Sequence, residues 1–438
     1  MPTIAFATLG CRVNQYDTDS MRGLFLEKGF RDVSYDEKAD VYVINTCSVT
    51  QMGEKKSRQL IRRAKKHNPQ SVVIVTGCYA QLDPELLAAM DGVSAVVGTN
   101  EKKKVVTIVE ELLANPSQQA ITAVHNVRQV EAFEEIPLYP SAVEHTRADL
   151  KIQEGCNNFC TFCIIPYTRG ALKSRQPDAI IAEAKRLVSF GFKELVLTGI
   201  HLGAYGKELP EKPSLALILR RLVNETEVQR IRLGSLESIE VDDELIEAMN
   251  SSDRICPHLH LPLQSGSDAI LKAMNRHYTK AEFIELIADL RARIHGLTVS
   301  TDLILGFPGE TEENFKETLN TLKLLKFSHI HAFPYSPRQG TPAATMPHQV
   351  DMAIKKQRVE IVNTLSAQQK VDVLQSMIGK EALVLIEKQE GEIGEGFSEN
   401  YERVRVTGLT KPVEGAIIPV RLEQVDGHII LGHMKEEP

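Results

Sequence analysis

Short apolar runs alternate with helical patterns through most of this 438-residue chain, and that alternation limits the fold more than any other feature. Strands that alternate with helices imply βαβ units and a parallel sheet. Strand patterns at Thr3–Leu9, Val41–Asn45, Ser71–Thr76 and Val93–Val97 are separated by helical patterns near Gln15–Lys28, Glu54–Lys66 and Pro84–Met90. The stretch Asn115–Thr146 then carries Pro116, Pro137 and Pro140 with little helical period, so it reads as a linker or covering segment.

From Ala148 the rhythm resumes. Strand candidates are Asp149–Gln153, Glu194–Thr198, Arg230–Gly234, His258–Leu261, Thr298–Leu305 and His329–Phe333. Helical patterns near Asp178–Phe190, Ser214–Asn224, Asp242–Met249, Lys280–Ile294 and Glu312–Leu325 lie between them. Six such units are too few for a full eight-unit barrel of about 250 residues, so an incomplete barrel is expected. An amphipathic helix near Asp351–Met377 follows. Beyond Gly379, short strands at Ala382–Ile386, Glu402–Thr407, Ile417–Glu423 and His428–Gly432 suggest a small β-barrel. The expected class is α/β. A parallel three-layer α/β domain would span 1–115, a linker 116–145, a partial (β/α)6 barrel 146–375, and a small antiparallel β-barrel 376–438.

Composition narrows the function classes. With 42% hydrophobic and 25% charged residues, the chain resembles an ordinary soluble globular protein. No apolar run approaches the length of a membrane span, and the first residues read as a strand rather than a signal peptide. A cytoplasmic location is expected. The net charge of −7 argues against a broadly basic nucleic-acid coat but leaves room for a local patch. One such patch is Lys55, Arg58, Arg62 and Lys66, at helical spacing, with Lys56, Arg63 and Lys65 beside them. Phosphate attraction is one reading of it, and solvated surface charge is the other.

The seven cysteines carry the chemistry. Cys156, Cys160 and Cys163 form C-x3-C-x2-C in a loop after a predicted strand. A structural zinc site uses four ligands, usually in paired knuckles, and no fourth Cys or His follows at that spacing. Three thiolates suit a four-iron–four-sulfur cluster with one iron left open. Cys11, Cys47 and Cys78 each end a predicted strand, at intervals of 36 and 31 residues. Three successive parallel strands bring them to one carboxyl-end sheet edge, where open α/β sheets hold ligands. That register favours a second three-thiolate cluster over three incidental buried thiols. Cys256 shows no ligand pattern and reads as a semi-buried thiol. His258 and His260 share one strand face and read as barrel lining rather than a metal pair.

The cysteine loop, with Phe162 before its last Cys, resembles the radical S-adenosylmethionine (SAM) signature. The motifs TLGCRVNQYD, INTCSVT, TGCYAQ, IQEGCNNFCTFCIIPYTRG, LVLTGIHLGAYG, HLPLQSGSDAILKAMNR, LILGFPGET and FPYSPRQGTPA together resemble the radical-SAM methylthiotransferases over essentially the whole chain. TLGCRVNQ, TCSVT followed by KKSRQLIRRA, and IQEGCNNFCTFCIIP are most similar to the branch acting on N6-threonylcarbamoyladenosine beside the anticodon of tRNA. Other branches act on isopentenyladenosine in tRNA or on a ribosomal protein side chain.

The resemblance implies two 4Fe-4S clusters, SAM, a tRNA partner and a low-potential electron donor such as flavodoxin or ferredoxin. Cys156, Cys160 and Cys163 would hold the cluster that cleaves SAM to a 5′-deoxyadenosyl radical. That radical would take the hydrogen from adenine C2. The cluster on Cys11, Cys47 and Cys78 would carry the sulfur, methylated by a first SAM, so two SAM are consumed per product. Phe162 would pack on the SAM adenine, and Thr198 and Gly199 would meet the methionine amino group. Ser235 and Glu237 would meet the ribose, and Gln264 lies on the same rim. GFPGET at Gly306–Thr311 reads as either an anion-binding helix start or a tight turn.

The C-terminal module resembles the RNA-binding TRAM domain. Yet Gly379–Pro438 holds seven Lys/Arg against twelve Asp/Glu, which disfavours purely electrostatic binding. Arg403, Arg405 and Arg421 are its RNA candidates.

Overall fold

The computed structural model describes residues 1–115, 119–130, 132–139 and 146–435. Pro116 and Pro140 of the expected linker, and Glu436 and Glu437 of the acidic C-terminal module, lie outside the described residues. The chain forms two compact units: residues 1–144, 151–175 and 336–344, and residues 145–150, 176–335 and 345–438.

The first unit is built on strands β1 (Thr3–Thr8), β2 (Arg31–Asp32), β3 (Val41–Thr46), β4 (Val72–Gly77), β5 (Ala95–Val97) and β6 (Ile121–Ala123). They form one parallel sheet in the order β2-β1-β3-β4-β5-β6. Side chains alternate across it with the two-residue period of a strand. Ile4, Phe6, Val41, Val43, Val72 and Ile74 pack with Met21 and Phe25 of the Arg12–Glu27 helix and Ile108 of the Val105–Ala114 helix. Ala5, Tyr42, Ile44, Val73 and Val75 pack on the other face with Ile61 and Ala64 of the Gln51–His67 helix. The result is the expected three-layer sandwich. The stretch read as a covering segment does more than cover, because it supplies β6 and buries Ile136 and Leu138.

Strand β7 (Arg147–Lys151) enters a sheet of the second unit, whereas β8 (Gln153–Glu154) and β9 (Lys173–Ser174) pair antiparallel in the first and bracket the cysteine loop. In the second unit, β10 (Glu194–Thr198) and β11 (Arg230–Leu233) extend β7 into one sheet. The strands β12 (His258–His260), β13 (Thr298–Leu305) and β14 (His329–Pro334) form another. Single parallel bridges, Ile231 to Ile255 and Ser235 to His260, join them into the six-stranded partial barrel. Helices Pro177–Ser189, Leu215–Glu225, Asp243–Asn250, Lys280–Arg293 and Glu312–Leu325 fill the connections.

After the Met352–Met377 helix come β15 (Glu381–Glu390), β16 (Ile393–Ser398), β17 (Arg403–Thr407), β18 (Ile417–Asp426) and β19 (Ile429–Met434). They close a five-stranded barrel in the order β15-β16-β17-β19-β18, antiparallel except for the β17–β19 pair. Closure leaves no open sheet edge. Its interior is Val384, Ile386, Val404, Val406, Val420, Leu422 and Ile430.

Candidate active site

Strand register gathers the N-terminal cysteines. Thr8 stands opposite Asn45, Asn45 opposite Thr76, and Thr46 opposite Gly77. Cys47 and Cys78 therefore leave adjacent strands side by side, and Cys11 follows β1 at the same edge. The turn into Cys78 requires glycine: Gly77 has φ +92°, and a Cβ there would stand 2.3 Å from Asn45 Oδ1. Asn14 ties the edge together by donating to the carbonyls of Leu9 (2.6 Å) and Thr46 (3.0 Å). Cys47 and Cys78 are buried and Cys11 is exposed. Burial pushes the Cys47 thiol up to about 11.

The second set sits in the loop between β8 and β9. Gly155 (φ +74°) lets the chain pass against the backbone of Ala171, where a Cβ would lie 1.8 Å from the carbonyl oxygen. Cys156 N–H donates to Gly170 O at 3.0 Å, and Cys163 N–H to Cys160 O at 2.9 Å. The segment 336–344, which contains the SPRQGTPA stretch, straps both neighbourhoods. Arg338 pairs with Glu54 on the helix after Cys47, and Ala343 N–H donates to Thr161 O at 2.9 Å inside the loop.

The donor chemistry of each set fits a cluster. Each set offers three thiols, the soft donors that iron–sulfur clusters take. A four-iron cube is several bonds across, holds its thiolates further apart than a single ion would, and with three of them leaves an iron open.

Sequence reasoning missed the group that connects the sets. Arg169, fully buried at the end of the Ile165–Arg169 helix, donates Nε–H to Cys78 Sγ at 3.3 Å. Its Nη1 meets Asp17 Oδ2 at 2.9 Å and Glu154 Oε1 at 3.0 Å, and its Nη2 meets Asn14 Oδ1. Lys151 pairs with Asp17 at 2.8 Å and with Glu154, Lys102 pairs with Glu134 at 3.0 Å, and Lys173 donates to Arg169 O at 2.9 Å. Burial alone would raise the Glu154 carboxyl. The cations Arg169, Lys151 and Lys102 outweigh it and hold the group well below the carboxylate range. NQYD and PYTRG both stood in plain view, but nothing in their spacing says that Asp17 and Arg169 meet.

The expected SAM-contacting residues of the second unit stand at the carboxyl ends of its strands, the side on which barrel enzymes build their sites. Thr198 ends β10 and is buried, Gly199 follows it half-buried, and Ser235 lies exposed after β11. Glu237 is held by Arg276 through Oε1–Nη1 at 3.0 Å and a second, closer contact. Gln264 takes φ +62° and bridges to β13, its N–H donating to Asp302 O at 2.9 Å. Phe162 lies in the first unit, half-buried in the cysteine loop.

The remaining expectations resolve individually. His258 and His260 share Ser300 Oγ, at 3.1 and 2.9 Å, as barrel lining. His260 also approaches Asp302 and His331, their ligand atoms lying within 4.8 Å of one another. Cys256 is fully rather than semi-buried, because Ile255 and Cys256 pair alongside β11, and burial pushes its thiol up to about 11. GFPGET is a tight turn: Glu310 Oε1 accepts the Gly306 N–H at 3.0 Å and pairs with Arg358 at 2.6 Å, so an internal carboxylate occupies that position.

On the basic helix, Lys55, Arg62 and Lys66 are exposed and form no ion pair among the described residues. Arg58 instead stacks on Tyr79 and donates to its hydroxyl at 2.8 Å. Arg403 and Arg405 both reach Glu395, at 3.8 and 2.8 Å, which takes up much of their charge.

Residues 150–322 match the Radical SAM superfamily, and residues 3–98 match Uncharacterized protein family UPF0004. The partial barrel and its three-cysteine loop thus define a radical-SAM protein. The chain is 46% identical to Threonylcarbamoyladenosine tRNA methylthiotransferase MtaB of Bacillus subtilis, covering 96% of this chain and 94% of that one. It is 39% identical to the protein of that name from Aquifex aeolicus, over 92% and 97%. It is 38% identical to tRNA-2-methylthio-N(6)-dimethylallyladenosine synthase of a Thermoanaerobacter species, over 87% and 81%. This chain belongs to the radical-SAM methylthiotransferase family. A solved radical SAM methyltransferase, TsrM from Kitasatospora setae with cobalamin and a 4Fe-4S cluster bound, shares the fold: TM-score 0.58, 14% identity, 78% of this chain and 77% of that one. No helix among the described residues is long and apolar enough to cross a membrane.

Proposed function

We propose that this enzyme replaces the C2 hydrogen of N6-threonylcarbamoyladenosine, next to the anticodon of tRNA, with a methylthio group. The relatives named for that activity support the substrate. The observation that carries the reaction is the pair of three-cysteine sets in one unit, linked through a single buried guanidinium. One set suits SAM cleavage and the other suits the sulfur, and each would hold a 4Fe-4S cluster. When bound, the clusters and SAM supply one-electron chemistry that side chains lack, since an aromatic C–H is neither acidic nor a leaving group.

The chain's own residues hold and shield. Cys156, Cys160 and Cys163 would leave one iron open for SAM, and Cys11, Cys47 and Cys78 would hold the second cluster. Thr198, Gly199, Ser235, Glu237 and Gln264 offer polar groups at the strand ends, and Phe162 an aromatic face. Lys55, Arg62 and Lys66 are the exposed cations for RNA phosphates, with Arg403, Arg405 and Arg421 contributing less because Glu395 occupies two of them. We divide the chain functionally as 1–115 for the sulfur-carrying cluster, 146–375 for SAM, and 376–438 for RNA. A low-potential donor of the flavodoxin or ferredoxin class would supply the electron.

The test is turnover. Reconstituted enzyme, SAM and reductant are incubated with tRNA carrying N6-threonylcarbamoyladenosine, and the digested nucleosides are weighed. We expect that nucleoside to gain a methylthio group in place of one hydrogen, with two SAM consumed. A gain on isopentenyladenosine or on a ribosomal protein instead would reject the substrate.

A further inference from the structure

We infer that Arg169 is a positioning residue for the N-terminal cluster: it fixes Cys78 as a ligand and offsets the cluster's negative charge, raising its reduction potential. This rests on the reading of Cys11, Cys47 and Cys78 as cluster ligands.

Two observations carry it. The first is geometric. The guanidinium is fully buried and fully engaged, with Nε on Cys78 Sγ at 3.3 Å, Nη1 on Asp17 and Glu154, and Nη2 on Asn14. Asn14 is itself held by the carbonyls of Leu9 and Thr46, one on each of the chain segments that lead into Cys11 and Cys47. Arg169 therefore cannot swing away without breaking the whole network. Its planar fork reads all these acceptors at once, which a flexible ammonium cannot do.

The second observation is charge. Among the described residues, the buried network contains four cations, Lys102, Lys151, Arg169 and Lys173, against three carboxylates, Asp17, Glu134 and Glu154. One positive charge is left over, and Arg169 is the cation that touches a cysteine sulfur. A buried surplus charge is costly unless something neutralises it. Three thiolates on a doubly positive four-iron core carry one net negative charge, which is opposite to the surplus in sign and equal to it in size. Hydrogen bonds to the sulfurs and nearby cations both favour the more negative, reduced cluster and so raise its potential. Glu154 lies two residues before Cys156, so the same guanidinium also braces the start of the SAM-cleaving loop.

The experiment isolates the cluster. In the full chain with Cys156, Cys160 and Cys163 changed to Ala, anaerobic reconstitution leaves about four irons on the N-terminal set. Their midpoint potential is read by EPR-monitored redox titration with Arg169 intact and with Arg169→Gln or Arg169→Lys added. We expect Arg169→Gln to move the potential to a more negative value at unchanged iron content. Arg169→Lys, which keeps the charge but loses the Nε–H, should move it less in the same direction. An unchanged potential in Arg169→Gln with full iron overturns the proposal. Should Arg169→Gln fail to fold or lose its iron, Arg169→Lys decides, and an unshifted potential there overturns it equally. If the triple variant with Arg169 intact binds no iron, the reading of the N-terminal ligands falls, and the proposal with it.

Discussion

The ring of Tyr401 lies beneath the guanidinium of Arg232, 4.5 Å from Cζ to the ring centroid, and this stack seats the C-terminal barrel on the partial barrel. Arg232 also donates to the carbonyls of Glu399 (3.0 Å) and Ser398 (3.1 Å), and Arg230 to those of Leu383 (2.9 Å) and Phe397 (3.1 Å). Both guanidinia pair with one buried carboxylate, Glu194, at 2.5 Å from Arg230 and 2.9 Å from Arg232. Glu194→Ala leaves two buried cations without their partner and should cost about 3–5 kcal/mol. Urea unfolding of the variant against wild type measures this, and a difference under about 1 kcal/mol would contradict it.

The same carboxylate sets an acid limit. Arg232 and Arg230 outweigh burial and lower its pKa from 4.5 to about 2. A depressed folded pKa gives stability that is fully present above the unfolded value and is lost as pH falls through the folded one. The two values differ by enough to contribute about 3 kcal/mol at neutral pH. Stability should therefore decline between about pH 4.5 and pH 2, and less so in Glu194→Gln. Parallel acid unfolding curves for the two proteins would refute the assignment.

Gly155 tests the cysteine loop. At φ +74°, with Ala171 O where a Cβ would go, Gly155→Ala must shift the backbone that leads into Cys156. Strain of about 1–3 kcal/mol is expected, along with selective loss of one cluster. Iron per chain should drop by about half on reconstitution. Full iron with normal SAM cleavage would show that the loop tolerates the shift.

Lys55, Arg62 and Lys66 test the RNA surface. Changing all three to Ala should weaken tRNA binding and flatten its logarithmic salt dependence by about 2–3. Filter binding across salt concentrations reads both quantities. An unchanged slope would make this helix face plain solvated charge.

Much of this was legible in the sequence because it follows strand periodicity. Cys11, Cys47 and Cys78 could be placed together because three parallel strands ending in cysteine leave few other arrangements. The boundaries of β10 and β13 followed from apolar patterning, LVL within the first and LIL closing the second. Strand β16 was not legible, since Gly394 and Gly396 break its alternation and read as loop. Strand β6 was hidden because Ile121–Ala123 is only three residues long and earns its place from the neighbouring β5. The Arg169 network was illegible for a deeper reason. Its members come from separate elements, with 152 residues between Arg169 and Asp17, and charged residues carry no period that predicts partners. The charge of Arg403 and Arg405 likewise looked available until the β16–β17 register put Glu395 opposite Arg405.

The most direct test of two cooperating clusters is iron and sulfide analysis after anaerobic reconstitution. It compares wild type with a Cys156/Cys160/Cys163→Ala variant and a Cys11/Cys47/Cys78→Ala variant. The account predicts about eight irons in wild type and about four in each variant. About four irons in wild type, none in the first variant and four in the second would contradict it, leaving a radical-SAM protein with a single cluster.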